Sequence, residues 1–252
     1  IAKARKAGHF VIVRVDKNGE RVPLTIAGSD ITKGTITLVV QRIGVSTYKL
    51  AELGVGDCIE DVVGPLGRAT KIEKQEGTIL AAGGGVGVAP LLPIIEAHHN
   101  IGNRVVAVLA GRTKDLIILE EQVRRVADDV IIMTDDGSYG KKGLVTAGME
   151  EVILREKVSE AVVIGPAIMM KFGALTTKKY DIPTVVSLNT IMVDGTGMCG
   201  ACRVSVGGKT RFVCVDGPEF DAHQVDFDQM LKRMGGFREC EQSAFESYKT
   251  SK

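Results

Sequence analysis

The stretch Thr78-Ile79-Leu80-Ala81-Ala82-Gly83-Gly84-Gly85-Val86-Gly87-Val88-Ala89-Pro90 runs from apolar residues into glycines and then into helix-forming sequence. Glycines placed directly after a strand let the backbone turn sharply and approach a pyrophosphate, whose charge then meets a helix N-terminus. Against the dinucleotide pattern G-x-G-x-x-G the stretch departs at its last position, where Gly85 and Gly87 are followed by Pro90 rather than glycine. A lone glycine loop is weak evidence, and a plain strand-to-helix turn is its other reading. The downstream rhythm adds weight. RVVAVLAG (104–111), DVIIMT (129–134), AVVIG (161–165) and PTVVSL (183–188) are short apolar runs. Helical segments are expected between the runs, over Gly87–His99, Leu116–Ala127, Leu144–Lys157 and Ala167–Lys178. Apolar strands alternating with helices predict a doubly wound α/β domain with a parallel sheet over residues 76–188.

Upstream the pattern is different. HFVIVRV (9–15), RVPLTIA (21–27) and TITLVVQRI (35–43) are β-branched runs separated by turn signals such as Lys17-Asn18-Gly19 and Lys33-Gly34. A short helix over Ser46–Leu53, N-capped by Ser46, and a strand near Cys58–Val63 complete the segment. Closely spaced strands with one short helix predict a small antiparallel β-barrel over residues 1–75. The charged stretch KIEKQEG (71–77) marks the boundary. The chain opens on Ile1, close to its first strand, so a preceding segment is expected.

From Asn189 the alternation stops, and residues 189–252 form a glycine- and cysteine-rich module with a polar tail. Three of the five cysteines, Cys199, Cys202 and Cys214, fall within sixteen positions. That crowding suits a metal site in a reducing compartment better than a disulfide framework, so a cytoplasmic location is expected. The plant-type [2Fe–2S] spacing is C-x4-C-x2-C with a distant fourth cysteine. Here the spacing is D-x4-C-x2-C-x11-C, with Asp194 where the first thiolate would stand. Arg203–Val206 and Thr210–Val215, joined by Gly207-Gly208, are expected to form a hairpin that presents Cys214. Zinc also accepts three thiolates and a carboxylate, so these residues by themselves admit a zinc ribbon as well.

Composition limits the function classes. With 252 residues, 25% charged residues and a net charge of +1, no basic field invites nucleic acid or a membrane surface. No apolar run approaches the ~20 residues of a membrane helix.

Gly85-x-Gly87-x-x-Pro90 resembles the nicotinamide loop of the ferredoxin–NADP reductase superfamily, in which a flavin barrel precedes the nucleotide domain. Arg21-Val22-Pro23-Leu24-Thr25 is similar to that superfamily's flavin strand. By that resemblance Arg21 meets the flavin pyrophosphate, Pro23 and Leu24 lie along the ring, and the Thr25 hydroxyl lies near N5. Gly64-Pro65-Leu66-Gly67 resembles the loop that closes over the flavin phosphates. A guanidinium fork and glycine N–H groups suit a diphosphate on physical grounds as well. Taken singly, Arg21 also reads as a solvated strand charge and Pro23 as an edge breaker. Gly84, Gly85, Val86, Gly87 and Pro90 are the expected NAD(H) loop, and Gly165-Pro166 shapes the same pocket. Ile164 stands where the superfamily often has a cysteine, so no catalytic thiol or other catalytic side chain is assigned. Hydride transfer between nicotinamide and flavin requires only proximity and orientation. Gly111-Arg112 and Asp135-Asp136 follow strand ends, where they either line the nucleotide pocket or form plain turns. A flavin and a nicotinamide site upstream favour the cluster over zinc, because zinc cannot pass electrons.

The order of modules resembles the electron-transfer subunit of dihydroorotate dehydrogenase. GRTKDLIILEEQ (111–122), TDDGSYGKKGLVT (134–146), IGPAIMMK (164–171) and IMVDGTGMCGACRVSVGGKTRFVCVDGPEFDAHQVDFD (191–228) are more similar to the small (alpha) subunits of NADH-dependent reduced ferredoxin:NADP+ oxidoreductases, also known as sulfide dehydrogenase subunits. That resemblance implies FAD, NAD(H) and a [2Fe–2S] cluster held by Asp194, Cys199, Cys202 and Cys214. It further implies a heterodimer with a larger flavin and [4Fe–4S] subunit that handles NADP(H) and ferredoxin in electron bifurcation. A dihydroorotate-type subunit, a sulfide- or sulfur-reducing complex and a zinc-stabilised nucleotide-binding module are the alternatives. Cys58 is expected in the core, His98 and His99 in solvent, Met169 and Met170 in helix packing, and Cys240 without a role.

Overall fold

A computed structural model describes residues 1–250 of the chain. The first strands are β1 (Phe10–Arg14), β2 (Arg21–Asp30) and β3 (Thr35–Leu38), followed by helix α1 (Val45–Ala51) and strand β4 (Asp61–Leu66). They pair antiparallel in the order β3–β2–β1–β4, with bulges beside Phe10 and Ile26 that turn the N-terminal barrel. Val11, Val13 and Ile26 are buried inside it, and Leu24 and Ile36 pack against them. The helix starts at Val45, and its N-cap is Gly44 rather than Ser46. The hydroxyl that satisfies its free N–H groups belongs to Thr47, which accepts from Ile43 and Gly44 at 3.0 and 3.1 Å. Because β4 begins only at Asp61, Cys58 lies in the loop before it and is exposed, not in the core.

The second layer starts with β5 (Thr78–Gly84), a single turn of 3-10 helix (Gly85–Gly87) and α2 (Val88–Asn100). It continues through β6 (Val105–Gly111), α3 (Glu120–Arg124), β7 (Asp129–Thr134), β8 (Lys141–Lys142), α4 (Val145–Arg155), β9 (Val158–Ile164), α5 (Ala167–Lys178) and β10 (Thr184–Ser187). Strands β10–β9–β5–β6–β7–β8 are parallel. Chain order reverses at β5, which creates the crevice where ligands bind in such sheets. The expected helix over Leu116–Ala127 is broken. Ile117 and Ile118 pack towards the core instead of continuing a helical face, and Leu119 takes a left-handed φ of 57°. His98 is buried, not solvated, and its Nδ1 meets Asn103 Nδ2 at 2.9 Å.

At the N-terminal end of the sheet, Arg104 grips Glu156 with two bonds of 2.8 Å and Thr78 adds a third of 2.7 Å. Those bonds, led by Arg104, hold the Glu156 carboxyl down at about 2.

The C-terminal module contains β11 (Arg203–Val206), β12 (Lys209–Phe212), the helical turn α6 (Val213–Asp216), β13 (Glu219–Asp221), α7 (Phe227–Met234) and α8 (Arg238–Thr250). β13 adds antiparallel to β10 and becomes the seventh strand of the central sheet. One apolar cluster therefore runs from Phe10 and Ile12 through the central sheet to Val204, Cys214 and Met230. The tail is helical, and Phe245 of α8 stacks on Tyr48 of α1 with ring centroids 4.9 Å apart. Among the described residues no helix is long and apolar enough to cross a membrane.

Candidate functional site

Three sets of residues converge where the barrel, the sheet and the C-terminal module meet. In the barrel, β2 and β4 flank β1, and Phe10 of β1 stands opposite both Thr25 and Leu66. The Arg21–Thr25 run and the Gly64–Gly67 loop are thus brought to either side of one strand. Arg21 is exposed, while Pro23, Leu24 and Thr25 are half-buried. Gly64 and Gly67 have φ of 155° and 80°, and Pro65 follows a cis bond. The positive φ at Gly67 explains the second glycine, since a β-carbon there would also meet the Phe10 ring at 2.9 Å.

On the sheet, Gly84–Gly87 turns off the carboxyl end of β5. Gly85 takes φ 54° with open space around it. Gly87 lies so close to β9 that a β-carbon would stand 2.5 Å from Ile164 O and 2.7 Å from Gly165 Cα. Gly165-Pro166 is therefore the second wall of the same crevice, and Met169 packs over Gly84 and Gly165. The strand-end residues Gly111-Arg112 and Asp135-Asp136 also stand at this edge. Asp135 N–H donates to Gly111 O at 3.1 Å and Asp136 N–H to Arg112 O at 3.3 Å. Asp136 spends its carboxylate on the Ser138 hydroxyl and N–H, at 2.7 and 2.9 Å, which lowers its pKa. Asp135 and Arg112 are exposed. Val86 faces solvent and Pro90 sits in the first turn of α2.

In the module the four candidate ligands form two pairs. Cys202 and Cys214 are buried, with sulfurs 3.3 Å apart. Asp194 accepts from the N–H groups of Thr196 and Cys199 at 2.7 and 2.8 Å. The Thr196 bond leads in holding its carboxyl low, and the Cys199 thiol also bonds it. The two pairs are neighbours: the Asp194 charge adds to the upward shift of the Cys214 thiol, and the Gly197 N–H opposes it. Burial first, and then the Cys202 sulfur, pushes the Cys214 thiol up to about 12, so a metal must displace its proton. Gly195, Gly197 and Gly200 all have positive φ, of 77°, 87° and 66°. That loop conformation aims N–H groups at the carboxylate and at sulfur. Cys214 comes from the turn α6, not from a strand, because the Asp216 carboxylate accepts from Phe212 N–H at 2.8 Å and ends β12.

Among the described residues no three His, Cys, Asp or Glu side chains converge where one metal ion would sit. A two-iron cluster divides four ligands between two metals, and the pairs Asp194/Cys199 and Cys202/Cys214 fit that division.

The sequence reading missed how closely the module touches the barrel. Gly195 abuts β1 and the barrel loop, with a β-carbon position only 2.8 Å from Leu66 Cδ1 and 2.9 Å from Ile12 Cγ1. Adjacent glycines with no periodic partner carry no signal of such a long-range contact. Glu219 is also new. Burial raises its carboxyl to about 7, Thr70 donates to it at 2.6 Å, and Glu160 faces it.

Comparison with known proteins agrees with this geometry. Residues 189–226 match the iron–sulfur cluster binding domain of dihydroorotate dehydrogenase B. A homologue of the dihydroorotate dehydrogenase B (NAD(+)) electron transfer subunit from Thermotoga maritima is 45% identical over 98% of this chain and 87% of its own. A solved structure of NADH-dependent reduced ferredoxin-NADP oxidoreductase, studied for flavin-based electron bifurcation, aligns with a TM-score of 0.92 at 44% identity. It covers 98% of this chain and 89% of that one. The cytochrome b5 reductase domain of Ulva prolifera nitrate reductase shares the fold at 20% identity and a TM-score of 0.56, over 70% of this chain and 81% of its own. The expected fold class and family resemblance are borne out. The chain belongs to the family of dihydroorotate dehydrogenase B electron transfer subunits and their homologues, and is an electron-transfer subunit of an oxidoreductase.

Proposed function

We propose that this chain is the NADH-side subunit of an electron-bifurcating NADH-dependent ferredoxin:NADP+ oxidoreductase. It exchanges a hydride between NAD(H) and FAD and relays single electrons through a [2Fe–2S] cluster to a larger cytoplasmic partner. When bound, FAD supplies the conversion of a hydride pair into single electrons, and the cluster supplies their one-at-a-time passage. The chain's own residues bind and orient. Arg21 and the Gly64–Gly67 loop hold the flavin diphosphate by charge and N–H donation. Pro23 and Thr25, on one face of β2, offer a half-buried, uncharged wall to its ring, while Leu24 on the opposite face packs into the barrel core instead of lying along the ring. At the switch point Gly85, with open space around it, would let a dinucleotide approach the start of α2, while Gly84, Gly87, Gly165 and Pro166 shape the crevice by close packing against one another and Met169. Asp194, Cys199, Cys202 and Cys214 would hold the cluster, the first two as one pair and the last two as the other.

The observation that carries this reading is the seating of Gly195 against Leu66 and Ile12. It puts the ligand-bearing loop in van der Waals contact with the loop assigned to the flavin phosphates, so the two proposed cofactor sites share one junction. The alignment to the bifurcating oxidoreductase supports the same partner type. Anaerobic addition of NADH to the purified chain tests the reading. Flavin absorption is expected to bleach first and cluster absorption to follow; a colourless chain with stoichiometric zinc would sink it.

The name shared by the Thermotoga relative supports a second reading, a subunit serving a dihydroorotate dehydrogenase. Purification with the native partner separates the two. A partner that binds NADPH supports the first reading, and one that binds orotate supports the second.

A further inference from the structure

Arg68 follows the Gly64–Gly67 loop directly, and it reaches the turn that carries Cys214 in three ways. Its backbone N–H donates to Gly217 O at 2.7 Å, and its Nε–H donates to Val215 O at 2.9 Å. Its Nη2 lies 3.7 Å from Asp216 Oδ1. Asp216 uses its other oxygen on Phe212 N–H, so the turn Val213–Asp216 is closed by its own chain on one side and gripped by Arg68 on the other. Gly67 sits against the same segment, its β-carbon position 3.0 Å from Pro218 Cδ.

The loop is thus held between both ligand-bearing segments. Leu66 presses on Gly195, next to Asp194, while Arg68 binds the residues that follow Cys214. The Arg68 side chain is 70% exposed, so its ion pair with Asp216 adds little. The directional Nε–H bond to a carbonyl matters more, and a planar guanidinium fixes that direction where an ammonium does not.

We propose that Arg68 is a positioning residue for electron transfer: by binding Val215 and Gly217 it fixes the Cys214 turn against the flavin-phosphate loop and so sets the gap an electron crosses. This rests on the flavin–cluster reading above. Electron transfer decays exponentially with separation, so slack in the clamp lowers the transfer rate and leaves NADH binding and flavin reduction alone.

The test uses the full chain loaded with its cofactors as wild type, Arg68→Ala and Arg68→Lys, mixed with NADH in a stopped-flow instrument. Iron and flavin contents are expected to match in all three, as are flavin-bleaching rates. Cluster bleaching is expected to slow several-fold in Arg68→Ala, with no full rescue by lysine. Hydrogen exchange on the cofactor-free chains gives an independent readout. Residues 66–70 and 213–219 are expected to exchange faster in both variants, with β5 and β6 unchanged.

Unchanged cluster bleaching, full rescue by lysine, or loss of iron in Arg68→Ala would each overturn the positioning role. A wild-type chain without flavin or iron would instead remove the reading beneath it, while hydrogen exchange would still report whether Arg68 holds the turn.

Discussion

The two glycine loops of this molecule look alike in sequence and differ in what their glycines do. In Gly83–Gly87 the decisive residue is Gly87, whose φ is ordinary but whose missing side chain lets two backbones meet. In Asp194–Gly200 the glycines supply positive φ, which turns successive N–H groups inward onto a carboxylate and a sulfur. Close approach decides at Gly87, whereas at Gly200 backbone handedness alone decides, its nearest neighbour standing 3.6 Å from the β-carbon position. Their surroundings differ in the same spirit. The far end of the sheet partners its charge, as the Arg104 grip on Glu156 shows. The junction behind the cluster loop buries Glu219 with a single hydroxyl and another carboxylate facing it.

Three substitutions would break or sharpen this contrast. Gly87→Ala is expected to have the largest effect. Its methyl meets the backbone of Ile164 and Gly165, which cannot rotate away, so about 3 kcal/mol of stability is lost by overpacking. NADH-dependent flavin reduction should fall roughly 100-fold as the crevice shifts, while iron content stays normal. Denaturant unfolding and stopped-flow reduction check both.

Glu219→Gln is expected to stabilise the protein, and only at neutral to alkaline pH. Its folded-state carboxyl titrates at about 7 against an ordinary 4.5. Between those values the folded chain binds the extra proton, so stability falls as pH rises through that window. Above pH 7 the charged, buried form costs about 2–3 kcal/mol, which the neutral amide avoids. Melting curves of wild type and variant should separate at pH 8 and converge near pH 4. Equal melting curves at both would show that the carboxylate is well solvated. The groups that set this titration are Glu160 and Thr70, with Glu73 and Lys71 facing Glu160 in turn.

Gly200→Ala is the mildest. An added methyl meets only Phe212 Cε1, at 3.6 Å, so the cost is the left-handed backbone alone, about 1 kcal/mol. A loss as large as that of Gly87→Ala would erase the distinction between the loops.

Five strands of the central sheet, β5, β6, β7, β9 and β10, were legible in the sequence because each is a short apolar run followed or preceded by a helical segment, whereas β8, the pair Lys141-Lys142, carries no such pattern. The expected helix over Ala167–Lys178 is present with those bounds. Where local chemistry competes, the pattern misleads: Leu119, in a left-handed conformation, delays the helix to Glu120–Arg124, and Asp216 converts the end of a strand into a turn. β13 was not visible at all, since Glu219-Phe220-Asp221 carries too little β-character alone and owes its conformation to the open edge of β10. The four candidate ligands could be picked out by spacing. Their division into two pairs depends on the turn geometry of Asp194–Cys199 and of the segment around Cys214, and the contact of Gly195 with Leu66 joins parts of the chain more than a hundred residues apart.

Metal and acid-labile sulfide analysis of the purified chain, beside Asp194→Ala, tests the account most directly. Equal amounts of iron and sulfide together with FAD are expected in the wild type, and the variant should lose iron and sulfide while keeping FAD. Zinc in place of iron, or an unchanged cluster in Asp194→Ala, would contradict the assignment of Asp194, Cys199, Cys202 and Cys214 as the ligands of a [2Fe–2S] centre.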